Sequence, residues 1–201
     1  MEALRASCLV VASWIAGAAI AAPPQLDASL PVQLEANSSD VDYKNNKLLF
    51  RAVRISQGAL SVEADQATAT GLDFNDSRWL FSGHVRITTQ DGFLTSDEAR
   101  IVFTANLLSA ADIVGSPARF QQQRATGIAS GHALHIDYRP ATTTVRLAGE
   151  AFLTDGKNDI TGDTLLYNLH DQQVLANPDE QGTQRVRITI NPKRPDPKPN
   201  P

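Results

Sequence analysis

Few residues in this sequence carry groups that could do chemistry, and their spacing works against them. His132 and His135 are three apart, and on a strand an odd offset sends two side chains to opposite faces, so the pair is not expected to chelate one metal ion. Asp97 and Glu98 are adjacent and are expected to diverge in the same way, which spoils them as a general acid and base. The segment GIASG at 127–131 lacks the spacing of a nucleophile elbow and has no helix after it. His84 and His170, like the other two histidines, read as exposed strand or turn residues. The sole cysteine, Cys8, lies in the apolar N-terminal segment, so the rest of the chain has no thiol for a disulfide, a metal site or a nucleophile. No catalytic constellation, metal site or cofactor site is expected.

The N-terminal segment follows a processing pattern. A short charged start with Glu2 and Arg5 leads into CLVVASWIAGAAIAA and the small-x-small pattern Ala19-Ile20-Ala21, so residues 1–21 read as a cleavable export signal. Residues 22–190 form the expected domain. Residues 191–201, with five prolines in the last ten positions, read as a disordered tail. The net charge of -4, without a basic run, argues against a nucleic-acid partner.

The elements that would position any site are strands. In RWLFSGHVRIT, Trp79, Phe81, Gly83, Val85 and Ile87 alternate with Arg78, Ser82, His84, Arg86 and Thr88, broken only by Leu80, which is the period of a sheet with one buried face. Val145, Leu147, Gly149, Ala151 and Leu153 repeat that register, as do Val186, Ile188 and Ile190. The phrase itself recurs, as FRAVRISQG, FSGHVRITTQDG and LAGEAFLTDG. A small residue followed by Asp, Asn or His also recurs, at Ala36, Ala64, Ser96, Gly131 and Gly162, at intervals of 28, 32, 35 and 31 residues. Each unit has room for two or three short strands. Such repetition marks units that bury their apolar faces only by stacking. Turn signals at 43–47, Asp91-Gly92 and Asp155-Gly156 separate the strands. The chain is therefore all-β, with unpaired edges at Val32 and Leu34 and at Val186, Ile188 and Ile190. Arg54, Arg86 and Arg187 lie opposite the apolar stripe, either as a solvated face or as contacts for anionic sugar-phosphate groups near an opening.

With the repeats placed, the sequence resembles the OstA-like periplasmic proteins of lipopolysaccharide transport, in their LptA branch. The resemblance is carried by PVQLEANSSDVDYKNNKLLFRAVRISQGALSVEADQA, by IVGSPARF, and by SGHALHIDYRPATTTVRLAGEAFLTDGKNDITGDTLLYNLHDQQVLA. Residues 61–103 are also similar to LptC. The resemblance implies a half-open, slightly twisted β-jelly roll of repeated antiparallel strands, located in the periplasm, whose apolar interior accepts the acyl chains of lipid A. It further implies head-to-tail association through the edges, with LptC at the inner membrane and the N-terminal domain of LptD at the outer membrane.

By that resemblance Val32 and Leu34 match a lipid-contacting first strand, and Phe120 matches an interior aromatic. Alternation adds Leu60, Val62, Val85, Ile87, Leu134, Ile136, Leu147, Leu165 and Ile188 to the apolar face, whose other role is simple core packing. The expected function is a lipopolysaccharide conduit without chemistry of its own. The alternatives are a membrane-anchored, LptC-like adaptor or a periplasmic carbohydrate-active β-sandwich.

Overall fold

The structure is a computed structural model that describes residues 30–70, 76–105, 107–125, 127–168, 171, 173–178 and 185–191. Residues 1–21, expected as an export signal, His170 and the Pro-rich stretch beyond Asn191 lie outside the described residues. The alternating segments form β1 (Gln33–Glu35), β2 (Ser38–Asp42), β3 (Lys47–Gln57), β4 (Leu60–Thr70), β5 (Arg78–Thr88), β6 (Gly92–Thr104), β7 (Leu107–Arg124), β8 (Gly127–Arg139), β9 (Thr144–Thr154), β10 (Asn158–Asn168), β11 (Gln173–Ala176) and β12 (Arg187–Ile190). All belong to one sheet, in which β3 to β10 pair with their sequence neighbours, antiparallel throughout. Each repeat unit is therefore a hairpin of two long strands, where the sequence suggested two or three short ones. The reason is that every long strand bends in the middle.

The bend is written in the register. Pairing slips between Glu63 and Gln66, Ser82 and Val85, Thr95 and Glu98, Val114 and Ala118, His132 and His135, and Gly162 and Thr164. Along β4, β6 and β8 the inward residues there step by three, from Ala64 to Ala67, Ser96 to Ala99 and Ala133 to Ile136, and all six are buried. On β5 and β9 the step is four, and the extra residues are pairs with positive φ: Gly83 (76°) with His84 (46°), and Gly149 (76°) with Glu150 (51°). Ala52 holds the matching place in β3 at φ 48°. The recurring phrase is thus the corner of the sheet, where a bulge increases twist and bends the strand.

The corner folds the sheet into two facing walls. β2 pairs the first half of β3 and β1 its second half, while at the far end β12 pairs the first half of β10 and β11 its second half. One wall runs from β2 to β11 and the other from β1 to β12. Side chains meet the polar groups that the corner takes off the ladder. The Asn177 amide oxygen accepts from the N–H groups of Asp163 at 2.9 Å and Thr164 at 3.1 Å. Ser116 donates to Asp97 at 2.9 Å.

Four expectations change here, because strict alternation does not pass through a bulge. Gly83 and Gly149 sit on the corner, not on the inward face, and a Cβ on Gly149 would run into Leu134. His132 and His135 both face outward, since the buried Ala133 and Ile136 take the inward positions between and beyond them. Asp97 and Glu98 both face outward for the same reason, between the buried Ser96 and Ala99. Leu134 points away from the core that Ile136 enters.

Candidate functional site

Between the walls lies an apolar core with Trp79 stacked against Phe50 (6.2 Å) and Phe81 (5.9 Å). Beyond it, away from the corner, opens a cavity of about 550 Å³. That volume falls within the range of about 300–1,000 Å³ usual for small-molecule sites. Its lining is overwhelmingly aliphatic and aromatic and comes from both walls: Trp79, Ile101, Phe103 and Tyr167 on one, Ile55, Leu94 and Leu153 on the other. A polar rim of Gln57, Gln90, Asp91, Gln121 and Gln122 marks one side. Burial pushes the phenol of Tyr138, which also lines the cavity, above its ordinary pKa.

Of the twelve residues expected on the apolar face, Val32, Leu60, Val62, Ile87, Phe120, Ile136 and Leu147 line this cavity. Phe120 lies flat over Gly131, its cross-strand partner, where a Cβ would come within 2.7 Å of the ring. Val85 and Leu165 face inward but are sealed in the core, at 1% and 0% exposure. Leu34 packs against the core from β1, opposite Ile55. Ile188 stands opposite Ile160 on the inward side of β12 and is 60% exposed, because nothing pairs beyond it in the described chain. Leu134 is the exception: it lies on the outer side of the corner and neither lines the cavity nor joins the core cluster. Ile101, Phe103 and Leu94 were missed, although all three alternate in β6; the slip between Thr95 and Glu98 puts the first two out of phase with the third.

Exposed large apolar residues occur at both edges, besides Tyr43 in a turn and Leu107 and Ile128 at the starts of β7 and β8. Leu30 and Val41 flank the first, and Leu175, Val186, Ile188 and Ile190 flank the last. The outer face is polar and internally paired. Arg54 meets its cross-strand partner Glu63 at 3.3 Å, Arg146 meets Asp137 at 3.4 Å, Arg100 meets Glu98 at 2.7 Å, and Arg139 pairs with Asp112. The Arg86 guanidinium lies 4.6 Å above the Phe93 ring. These partners account for Arg54 and Arg86 as a solvated face. His132 stacks on Phe152, and burial, with Arg119 nearby, lowers its pKa. Among the described residues no group of three His, Cys, Asp or Glu is placed to hold a metal ion, and no helix is long and apolar enough to cross a membrane.

A single open antiparallel sheet, folded over an apolar cavity and left unpaired at both edges, defines an all-β protein of the open jelly-roll class. Residues 66–173 match the family described as LptA/(LptD N-terminal domain) LPS transport protein. The chain belongs to that family, and is accordingly a component of lipopolysaccharide transport, not an enzyme. It is 25% identical over 189 residues to the lipopolysaccharide export system protein LptA of Escherichia coli strain K12, an alignment covering 92% of this chain and 85% of that protein. LptA of Shigella flexneri shows the same figures. The crystal structure of LptH from Pseudomonas aeruginosa, described as the LptA-homologous periplasmic component of the conserved lipopolysaccharide transport device, superposes with a TM-score of 0.51 at 20% identity. The superposition covers 82% of this chain and 97% of that one, and it shows the shared fold.

Proposed function

We propose that this protein works in the periplasm as a bridge between the two membranes, holding the acyl chains of lipopolysaccharide between its walls and handing the lipid on toward the outer membrane. The observation that carries this reading is the continuity of the inward apolar face, from Leu34 on β1, through the cavity, to Ile160 and Ile188 at β10 and β12. Each methylene withdrawn from water is worth about 0.8 kcal/mol, so a groove of this kind compensates a multi-chain lipid for leaving the bilayer. Transfer along it needs no bond chemistry, only similar affinity from one segment to the next.

The two unpaired edges supply the route for continuation. An exposed strand adds a partner strand through its free backbone groups, and apolar residues on that edge select the register. In this scheme β1 of one copy meets β12 of the next, LptC docks at the inner-membrane end and the N-terminal domain of LptD at the outer-membrane end. Residues 1–21 are removed on export, and residues 22–190 form the working domain.

Ultraviolet crosslinking in cells tests the reading. A photoreactive residue at Phe120, Val62 or Ile87 is expected to give lipopolysaccharide adducts, and one at Arg86 on the outer face none. Equal labelling at Arg86, or none at the inward sites of folded variants, refutes the conduit. Intact mass tests the processing step: a mature chain beginning at residue 22 is expected, and a retained leader points to the anchored adaptor instead.

A further inference from the structure

In the second half of β7 the inward positions are Ala118, Phe120, Gln122 and Arg124. Ala118 is sealed in the core, and Phe120 and Gln122 line the cavity. Arg124 follows two residues on, half-buried, and is the only charged strand residue in phase with the inward face among those described. Its Nε is buried and has no hydrogen-bond partner among the described residues.

Among the described residues Asp155 and Tyr167 are the groups that act electrostatically to favour the charge of Arg124, and neither is seen to hydrogen-bond its Nε. Asp155 is within electrostatic reach, but its carboxylate is engaged in its own turn, accepting from the N–H groups of Lys157 at 2.8 Å and Asn158 at 2.7 Å. Burial acts to raise the Asp155 pKa, yet these hydrogen bonds outweigh it and hold the carboxyl below its ordinary value. Tyr167, which lines the cavity from the opposite wall, is also within electrostatic reach of Arg124. Asp91 lines the same end of the cavity but is not among the charges that act on Arg124. Burial lowers the guanidinium pKa from its ordinary value, although arginine stays charged at neutral pH. A half-buried guanidinium whose buried Nε has no hydrogen-bond partner among the described residues gains from an anion brought by a ligand. The arginines of the outer-face ion pairs already have such partners.

We propose that Arg124 is the headgroup site of the groove, taking a phosphate monoester at the polar end of an amphiphile whose acyl chains fill the cavity, with the Gln122 amide beside it. The proposal rests on the lipid-conduit function above. A guanidinium matches phosphate geometry through paired N–H donors.

The test compares the full chain with R124Q and R124K. Detergent-dispersed bisphosphorylated lipid A, and the same lipid with its phosphates removed, are titrated against a fluorescent fatty-acid probe. The wild type is expected to bind the phosphorylated lipid about tenfold more tightly, the worth of one charge-assisted contact. R124Q should lose that preference, R124K should keep part of it, and neither should change binding of the dephosphorylated lipid. R124Q removes no hydrogen bond from Nε, so it is expected to fold; R124K preserves the comparison if it does not. Equal binding of both lipids by the wild type, or an undiminished preference in R124Q, overturns the headgroup site and leaves the groove standing. Failure of both lipids to bind the wild type removes the groove and this site together. Inorganic phosphate alone, followed at the Arg124 Nε–H resonance, separates the sources: a shift equal to that caused by lipid A makes this a free-phosphate site and overturns the headgroup assignment.

Discussion

Replacing Gly149 by alanine probes the corner that holds the two walls over the cavity. Gly149 has φ 76°, and a Cβ there would lie 2.9 Å from Leu134 Cδ1 and 3.0 Å from its Cβ. The left-handed backbone costs a residue with a side chain about 1–2 kcal/mol, and the stiffer unfolded chain returns about 0.4–1 kcal/mol. Crowding against Leu134 adds about 1–3 kcal/mol. The net loss is about 2 kcal/mol, which at a urea dependence of about 2 kcal/mol/M moves the unfolding midpoint down by about 1 M. Trp79, 2% exposed and the only tryptophan outside the leader, reports the transition by fluorescence. The crowding component is isolated by adding Leu134→Ala, which should make the pair less destabilising than the sum of its parts by about 1 kcal/mol. Ala52, already at φ 48° in the matching place, supplies the opposite control: Ala52→Gly should raise stability by about 0.5 kcal/mol. A midpoint for Gly149→Ala within about 0.2 M of the wild type, or strict additivity with Leu134→Ala, would refute the account of the corner.

Two further perturbations separate core, edge and surface. Leu165→Ala, at 0% exposure, should cost about 2–5 kcal/mol in the same urea titration, and Ile188→Ala, on the exposed edge, no more than about 0.5 kcal/mol; similar losses at both would mean that β12 is part of the core. The His84 Nδ1–H donates to the Asp65 carboxylate at 2.7 Å, and this hydrogen bond, with the Asp65 charge, raises its pKa above the ordinary imidazole value. The contact supports the fold fully below the unfolded value of about 6.5, and the support fades as pH rises through the elevated folded value. Asp65→Asn should bring the His84 proton NMR titration down toward the ordinary value, and an unchanged midpoint would show that the pair is not formed in solution.

The strands were legible because one face of each is buried and the other is wet, and that difference imprints a period of two on Trp79–Phe81, Val85–Ile87 and Leu147 with its neighbours. The edges were legible for a similar reason: Val32, Leu34 and Ile188 continue the apolar period to the outermost strands of the described sheet. Leu134 and the histidine pair were misplaced because alternation counts residues and cannot count bulges. On β4, β6 and β8 the step of three at the corner exchanges inside for outside with no local mark in sequence, whereas the Gly83-His84 and Gly149-Glu150 pairs of β5 and β9 mark a step of four that keeps the phase.

The amino-acid sequence by itself determined that this is an all-β repeat with a continuous apolar face and no catalytic cluster, since burial pattern and residue type are local properties of the chain. Only the tertiary structure decided that the strands bend together into two walls, which inward residues line open space and which seal the core, and that Arg124 falls in phase with the inward face. Those outcomes depend on the register between strands far apart in sequence, where side chains meet across a gap that no local pattern describes.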